Sequence, residues 1–168
     1  MEAILSLGSN LGDRLANLRA ADAALAALPS TRIVARAAIY ETDPVDVPDS
    51  FHAARFLNTI LAVETDLLPE TLAEAIHAVE AQLGRRRGPE RHVPRVIDID
   101  LIVCGDTRRD TPELRLPHPE AAWRRFVMQP LADIRPDLIL PGHALPVRDL
   151  LAQLPQTPAV ALAEDQWE

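Results

Sequence analysis

The chain contains no lysine; all 17 of its basic residues are arginines. Any phosphate it holds through side-chain cations is therefore gripped by planar guanidinium forks, which pair with two oxygens at once, and not by an ammonium point charge. It contains one cysteine, Cys104. That excludes an internal disulfide and fits a reducing compartment, and the apolar Ile102 and Val103 before it make it a buried structural thiol. Aromatic residues are scarce too, with three Phe, two Trp and one Tyr, so the core is mainly aliphatic. No apolar run approaches the roughly 20 residues that a membrane helix needs, and no basic stretch leads into an apolar one near residue 1. Cytoplasm is the expected location, with no membrane partner. Positive charge is also in deficit: 17 basic against 25 acidic residues leave a net charge of −8, which argues against general nucleic-acid or acidic-membrane binding.

What is present is one domain's worth of chain, 168 residues of which 48% are hydrophobic, expected to fold as a single domain over 1–168. Against its acidic background stands one basic cluster, Arg85 to Asp100, reading RRRGPERHVPRVIDID. If Val96 to Val103 is a strand, side chains alternate, so Asp98 and Asp100 share one face while Ile97, Ile99 and Leu101 take the other. Two adjacent carboxylates repel unless one holds a proton or a divalent cation lies between them. Magnesium suits such a pair, since it is usually held by one or two carboxylates with water and phosphate oxygens completing its shell. Arg85, Arg86, Arg87, Arg91 and Arg95 meet a single acid, Glu90, within their run. Acids for a metal beside arginines for phosphate are what phosphoryl transfer requires, because that chemistry is mostly positioning and charge stabilisation. Taken separately, an arginine run can be a solvated face, and an acidic pair on an edge strand can merely discourage strand-to-strand association. Neither explains why the two abut.

Along the chain, Ala3 to Leu7 predicts a strand turning at Gly8, Ser9 and Asn10. Ser9 or Asn10 is expected to cap the following helix, with phosphate binding at that helix end as the other use of the turn. Leu11, Leu15, Leu18, Ala21, Leu25 and Leu28 then recur at a helical period up to Pro29. Arg32 to Tyr40 predicts a strand, and the acid- and proline-bearing Glu41 to Ser50 an extended loop. Phe56 to Thr65 predicts the next strand. Its polar amide Asn58 offers a donor and an acceptor together, for a ligand edge or for neighbouring backbone. Pro69 opens a helix with a stripe of Leu72, Ile76, Val79 and Leu83, ending at Gly84. Glu80 near its end could orient an arginine, position a ligand or be exposed. A polar hairpin tip follows over Thr107 to Thr111. His118 could bond a phosphate, bind a metal or only pack, and zinc is disfavoured because no His or Cys partner lies nearby. A short helix beyond Pro130, a small helix at Val147 to Leu154 and a loosely held tail complete the chain. The order strand, helix, strand, strand, helix, strand predicts an α+β fold. Specifically, it predicts a ferredoxin-like αβ sandwich with a mainly antiparallel sheet, helices on one face, the other face free, and a C-terminal extension.

The run Gly84, Arg85, Arg87, Glu90, Arg91, Pro94, Arg95, Ile97, Asp98, Ile99, Asp100 resembles the signature of the hydroxymethyldihydropterin pyrophosphokinases. That family transfers a pyrophosphoryl group from ATP to the hydroxymethyl group of a reduced pterin and releases AMP. The likeness extends in order through Leu5 to Leu11 (LSLGSNL), Tyr40 to Pro44 (YETDP), Phe56 to Asn58 (FLN), Leu116 to His118 (LPH) and Arg124 to Leu131 (RRFVMQPL).

The resemblance implies a set of roles. Asp98 and Asp100 would hold two magnesium ions, and Arg85 and Arg95 would be the main phosphate-binding and catalytic arginines. Glu80, Arg87, Arg91, His118 and Arg124 would complete the ATP site. The pterin would meet Thr42, Pro44 and Val45 at the start of a closing loop, together with Phe56, Asn58, Asp98 and the stacking ring of Phe126. The implied partners are ATP and 6-hydroxymethyl-7,8-dihydropterin, with no nucleic acid, and the expected state is a monomer. The chain departs from its relatives at Asp43, where proline is common, at His92 and Val93 in place of Trp-Gly, and at Pro119 in place of tyrosine. Two rivals remain. One is a diverged paralogue acting on another hydroxymethyl heterocycle. The other is a noncatalytic module for single-stranded RNA, which would need exposed aromatics on its central strands.

Overall fold

Alternating apolar residues build the centre of the molecule in a computed structural model that describes residues 1–43, 55–86, 88–89, 93–164 and 167. The elements β1 (Glu2–Ser9), α1 (Arg14–Ala26), β2 (Thr31–Arg36), β3 (Ile39–Thr42), β4 (Phe56–Thr65), α2 (Pro69–Gln82) and β5 (Asp98–Cys104) follow the expected order. The single strand expected over 32–40 is two. Between them the Thr59 hydroxyl donates to the carbonyls of Ala37 and Ala38, at 3.2 and 3.1 Å, where ladder partners would otherwise sit. The main sheet runs β5-β1-β4-β3-β8, with β2 also on β4 and β8 being Val160–Glu164; its pairings are antiparallel.

Two layers cover this sheet. On one face Leu18, Ala21 and Leu25 of α1 and Leu72, Ile76 and Val79 of α2 pack on Leu5, Leu7, Leu61, Val63, Ile99 and Leu101. Fully burying such side chains contributes about 1.5–3 kcal/mol each. The other face is not left free. α3 (Arg125–Ile134) and α4 (Val147–Gln153) set Val127, Met128, Leu131 and Val147 on Ile4, Ile60, Ala62 and Ile102. Only the polar end of that face stays open, because an apolar stripe exposed on β1, β4 and β5 would have to be buried.

Three local expectations are corrected. The cap of α1 is Asp13, whose carboxylate accepts from the Ala16 amide at 3.0 Å, and not Ser9 or Asn10. The helix expected beyond Pro130 begins earlier, at Arg125, and contains that proline in its interior, where the helix continues without the one backbone bond that proline cannot donate. Within the tail expected to be loose, Val160–Glu164 pairs with β3 and Trp167 bonds to Ala37. A small hairpin, β6 (Arg109–Asp110) with β7 (Arg115–Leu116), stands where a hairpin tip was expected. Cys104 is buried and free. Among the described residues no helix is long and apolar enough to cross a membrane.

Candidate active site

The strand register sets the open end of the second face as two rows. Asn58, Gly8 and Asp98 lie side by side across β4, β1 and β5, and Ile60, Ser6 and Asp100 form the next row. Asp98 and Asp100 thus share a face, as the period-2 pattern predicts. Both line a cavity of about 220 Å³ with Ser6, Gly8, Thr42, Phe56, Asn58, Arg85, Val93, Arg95, Arg124 and Phe126.

Asp98 lies between two guanidinium groups. Arg85 Nη1 reaches its Oδ1 at 2.5 Å and Arg95 Nη1 its Oδ2 at 2.7 Å. Arg85 is itself held by Glu80, a carboxylate only 1% exposed, whose Oε1 also accepts from the Ile99 amide at 2.7 Å. A buried charge is tolerable only when paired and hydrogen-bonded in this way. Arg95 is fixed through its backbone: its amide donates to Asn10 Oδ1 at 2.6 Å, and the Asn10 amide donates to its carbonyl at 3.1 Å. Burial opposes the Arg85 charge, yet the carboxylates of Asp98 and Glu80 outweigh it, and its pKa lies above the ordinary value.

Asp100 has a different environment. Burial and the adjacent Asp98 charge push its pKa up to about 7, against a smaller opposing pull from Arg124. A carboxyl so raised is one whose ionised form lacks a close cation. Among the described residues no group of three or more His, Cys, Asp or Glu side chains converges, and those that line the cavity offer a cation the two acids Asp98 and Asp100. That donor set fits magnesium, which fills its remaining positions with water and phosphate oxygens.

At the other end of the cavity, Asn58 Nδ2 donates to Thr42 Oγ1 at 2.6 Å, both residues being buried. Asn58 Oδ1 is thereby turned toward the cavity floor, where a Cβ added to Gly8 would lie 2.8 Å from it. Phe56 and Phe126 supply aromatic walls, and Arg124 lies 5.6 Å from the Phe126 ring centroid while pairing with Glu120. His118 is not in this cavity. It lines a neighbouring one of about 240 Å³, with Ala73, Ile76, His77, Ile99 and Leu101, and Asp100 is common to both. Burial, then the Arg124 charge, lower the His118 pKa. Its Nδ1 accepts from the Glu120 amide at 3.2 Å, which leaves the ring proton on Nε2.

Of the residues singled out from the sequence, Arg85, Arg95, Asp98, Asp100, Thr42, Phe56, Asn58, Arg124 and Phe126 meet at one cavity. Glu80 lies behind it and His118 beside it. Arg87, Arg91, His92, Pro44, Val45 and most of the loop expected over 41–50 lie outside the described residues. Gly8 and Asn10 were read as part of a turn that caps a helix or holds a phosphate at its end, and Ser6 and Val93 were not singled out as site residues. An alternating polar face on Ser6 and Gly8 was the available signal. The central strands β1, β4 and β5 carry one aromatic, Phe56, so the stacking surface that RNA would need is absent from them.

A sequence profile of the family described as 7,8-dihydro-6-hydroxymethylpterin-pyrophosphokinase (HPPK) matches residues 4–136. Proteins named 2-amino-4-hydroxy-6-hydroxymethyldihydropteridine pyrophosphokinase are 44% identical in Methylorubrum extorquens and 41% in Pseudomonas aeruginosa. Each match runs over 152 residues, 90% of this chain, and takes in 92% and 90% of those proteins respectively. A Bacillus subtilis protein of the same name is 39% identical over 79% of this chain and 77% of its own. A crystal structure of Plasmodium falciparum HPPK-DHPS, wild type with pteroate, has a TM-score of 0.71 at 15% identity, over 90% of this chain and 42% of that one. That likeness speaks to the fold, within a protein more than twice as long.

Proposed function

This chain belongs to the 7,8-dihydro-6-hydroxymethylpterin-pyrophosphokinase family, and from that premise we propose how its own residues carry out the transfer of pyrophosphate from ATP to 6-hydroxymethyl-7,8-dihydropterin in folate synthesis, with release of AMP. The observation that carries the proposal is the convergence of Asp98, Asp100, Arg85 and Arg95 on one cavity. The pterin lies over Gly8, between Asn58 and Asp98, with Phe126 and Phe56 on its faces. Asn58 Oδ1 accepts from the polar edge of the ring, and backbone groups of Thr42, Pro44 and Val45 complete that edge. The nucleotide occupies the neighbouring cavity, where His118 Nε2 donates to it. Its triphosphate crosses at Asp100, the residue the two cavities share.

Asp98 and Asp100 would hold two magnesium ions, which would neutralise the triphosphate and leave its β-phosphorus open to attack. Arg85, Arg95 and Arg124, assisted by Arg87 and Arg91, take the phosphate oxygens. Arg85 and Arg95 turn from Asp98 to the nucleotide when it arrives, while Glu80 keeps Arg85 at its post. The pterin hydroxyl oxygen then bonds to the β-phosphorus as the bond from that phosphorus to the bridging oxygen of the α-phosphate breaks. AMP departs and the hydroxyl proton is released. The cavity is lined from within one chain, so a monomer suffices.

Incubation with ATP, magnesium and 6-hydroxymethyl-7,8-dihydropterin tests this directly. AMP is expected to form in proportion to the pterin diphosphate. AMP formed without dependence on the pterin would favour the paralogue, and no AMP would end the proposal.

A further inference from the structure

Beyond the region matched by the family profile, residues 154–164 and Trp167 lie beside the pterin cavity, sharing a cleft with its Thr42 and Phe126, and the strand among them, Val160–Glu164, has little burial of its own. Ala161 to Glu164 are exposed, Leu162 at 57%. A hydrophobic contribution therefore does not account for its pairing. What it supplies is backbone. β3 has four residues, and β8 pairs with it through Thr42 opposite Val160, Glu41 opposite Ala161 and Tyr40 opposite Leu162. The other edge of β3 pairs with β4, where Tyr40 faces Asn58 and Thr42 faces Phe56. Without β8 the strand would be a short edge with alternate amides and carbonyls open to water, the kind of element that opens locally at low cost.

Both ends of the segment are tied down. Trp167 Nε1 donates to the Ala37 carbonyl at 2.9 Å, just before β3, and the Trp167 carbonyl accepts from Arg19 Nε at 3.2 Å. At the near end the Leu154 carbonyl accepts from Arg125 Nη1 at 3.4 Å. Pro155, Pro158 and Val160 there form a cleft of about 90 Å³ with Thr42 and Phe126. The Thr42 hydroxyl is what turns the Asn58 amide, since by accepting from Nδ2 it leaves Oδ1 toward Gly8.

Resting on the functional reading above, we infer that β8 is a positioning element of the pterin pocket: it holds β3 so that Thr42 fixes which end of the Asn58 amide meets the pterin. Freed of β8, β3 opens, the amide rotates, and the donor-acceptor match with the ring edge is lost. The nucleotide side is spared, because β5 lies at the opposite end of the sheet order from β8.

The test uses the full-length chain with Ala161→Pro, which removes a strand amide, and Leu162→Thr, which keeps the strand and changes only an exposed side chain. Ala161→Pro is expected to raise KM and Kd for the pterin about tenfold, the weight of one misdirected hydrogen bond. KM for ATP and kcat at saturating pterin stay near wild type, and Leu162→Thr behaves as wild type. Unchanged pterin constants in Ala161→Pro would overturn the inference. So would ATP and pterin constants rising together with a fall in Tm, which would mark a merely structural role. Should Ala161→Pro fail to fold, Trp167→Phe removes the indole bond to Ala37 together with part of that ring's packing on the core, and the same split between pterin and ATP decides. A wild-type chain that binds ATP but no pterin would end the functional reading itself, and this inference with it.

Discussion

The two ends of one sheet face carry different residues on the same three strands. Toward one end β1 places Ile4, β4 places Ile60 and Ala62, and β5 places Ile102, all sealed beneath Val127, Met128 and Leu131 of α3. Two residues further along, the same strands place Ser6 and Gly8, Asn58, and Asp100 and Asp98, and among the described residues α3 reaches the cavity they line only through Phe126. The backbone is continuous, so position is equally well defined at both ends. The apolar end supplies rigidity, and the polar end uses it to hold charges that would otherwise repel or rearrange.

Substitutions at the two ends should accordingly separate activity from stability. Asp100→Ala is expected to lose activity by ~100-fold or more, as when a charge-stabilising group is removed from a preorganised site, while its circular dichroism and melting remain those of a folded protein. Its apolar counterpart on the same strand, Ile102→Ala, is expected to destabilise by about 2–5 kcal/mol in urea unfolding and to leave kcat per folded molecule nearly unchanged. Equal loss of kcat in both would erase the distinction. Next in size is Gly8→Ala, whose Cβ would press within 2.8 Å of Asn58 Oδ1. Displacing that amide should weaken pterin binding by about tenfold in calorimetry and leave ATP binding alone.

A further contrast concerns pH. Asp100 stands at about 7 in the fold instead of its ordinary 3.8, through burial and then Asp98. A carboxyl raised in the folded state contributes stability that is complete below its unfolded pKa and is lost as pH rises through the folded one. Measured without magnesium, Asp100→Asn should therefore melt increasingly above wild type from about pH 4 to about pH 7, with a constant margin beyond. A margin that stays flat across that range would show that Asp100 is already compensated.

Much of the polar end was legible because its information is local. Alternation along 98–103 put both acids on one face, and the short spacing from Arg85 to Asp100 left little freedom to separate them. The apolar stripes of α1 and α2 and the strand at 56–65 followed from periodicity in the same way. The remainder depends on pairing between distant residues. Nothing in the composition of 160–164 shows that β3 offers it a free edge. Gly8 looks like any turn glycine until the register sets Asn58 beside it, and Asn10 resembles a helix cap until Arg95 returns to bind it. Pro130 misled because a proline reads as a place where a helix starts or stops, whereas here it stands sixth in α3 and the helix runs on past the one bond it cannot make.

The central claim, that the paired acids and the arginines serve one triphosphate, is tested most directly by counting bound manganese, as a magnetic substitute for magnesium, by electron paramagnetic resonance with a non-transferable ATP analogue present. Wild type is expected to bind two ions per chain, and Asp100→Ala to lose at least one of them together with its turnover. An Asp100→Ala chain that binds the same number of ions as wild type and forms AMP at the wild-type rate would contradict the account.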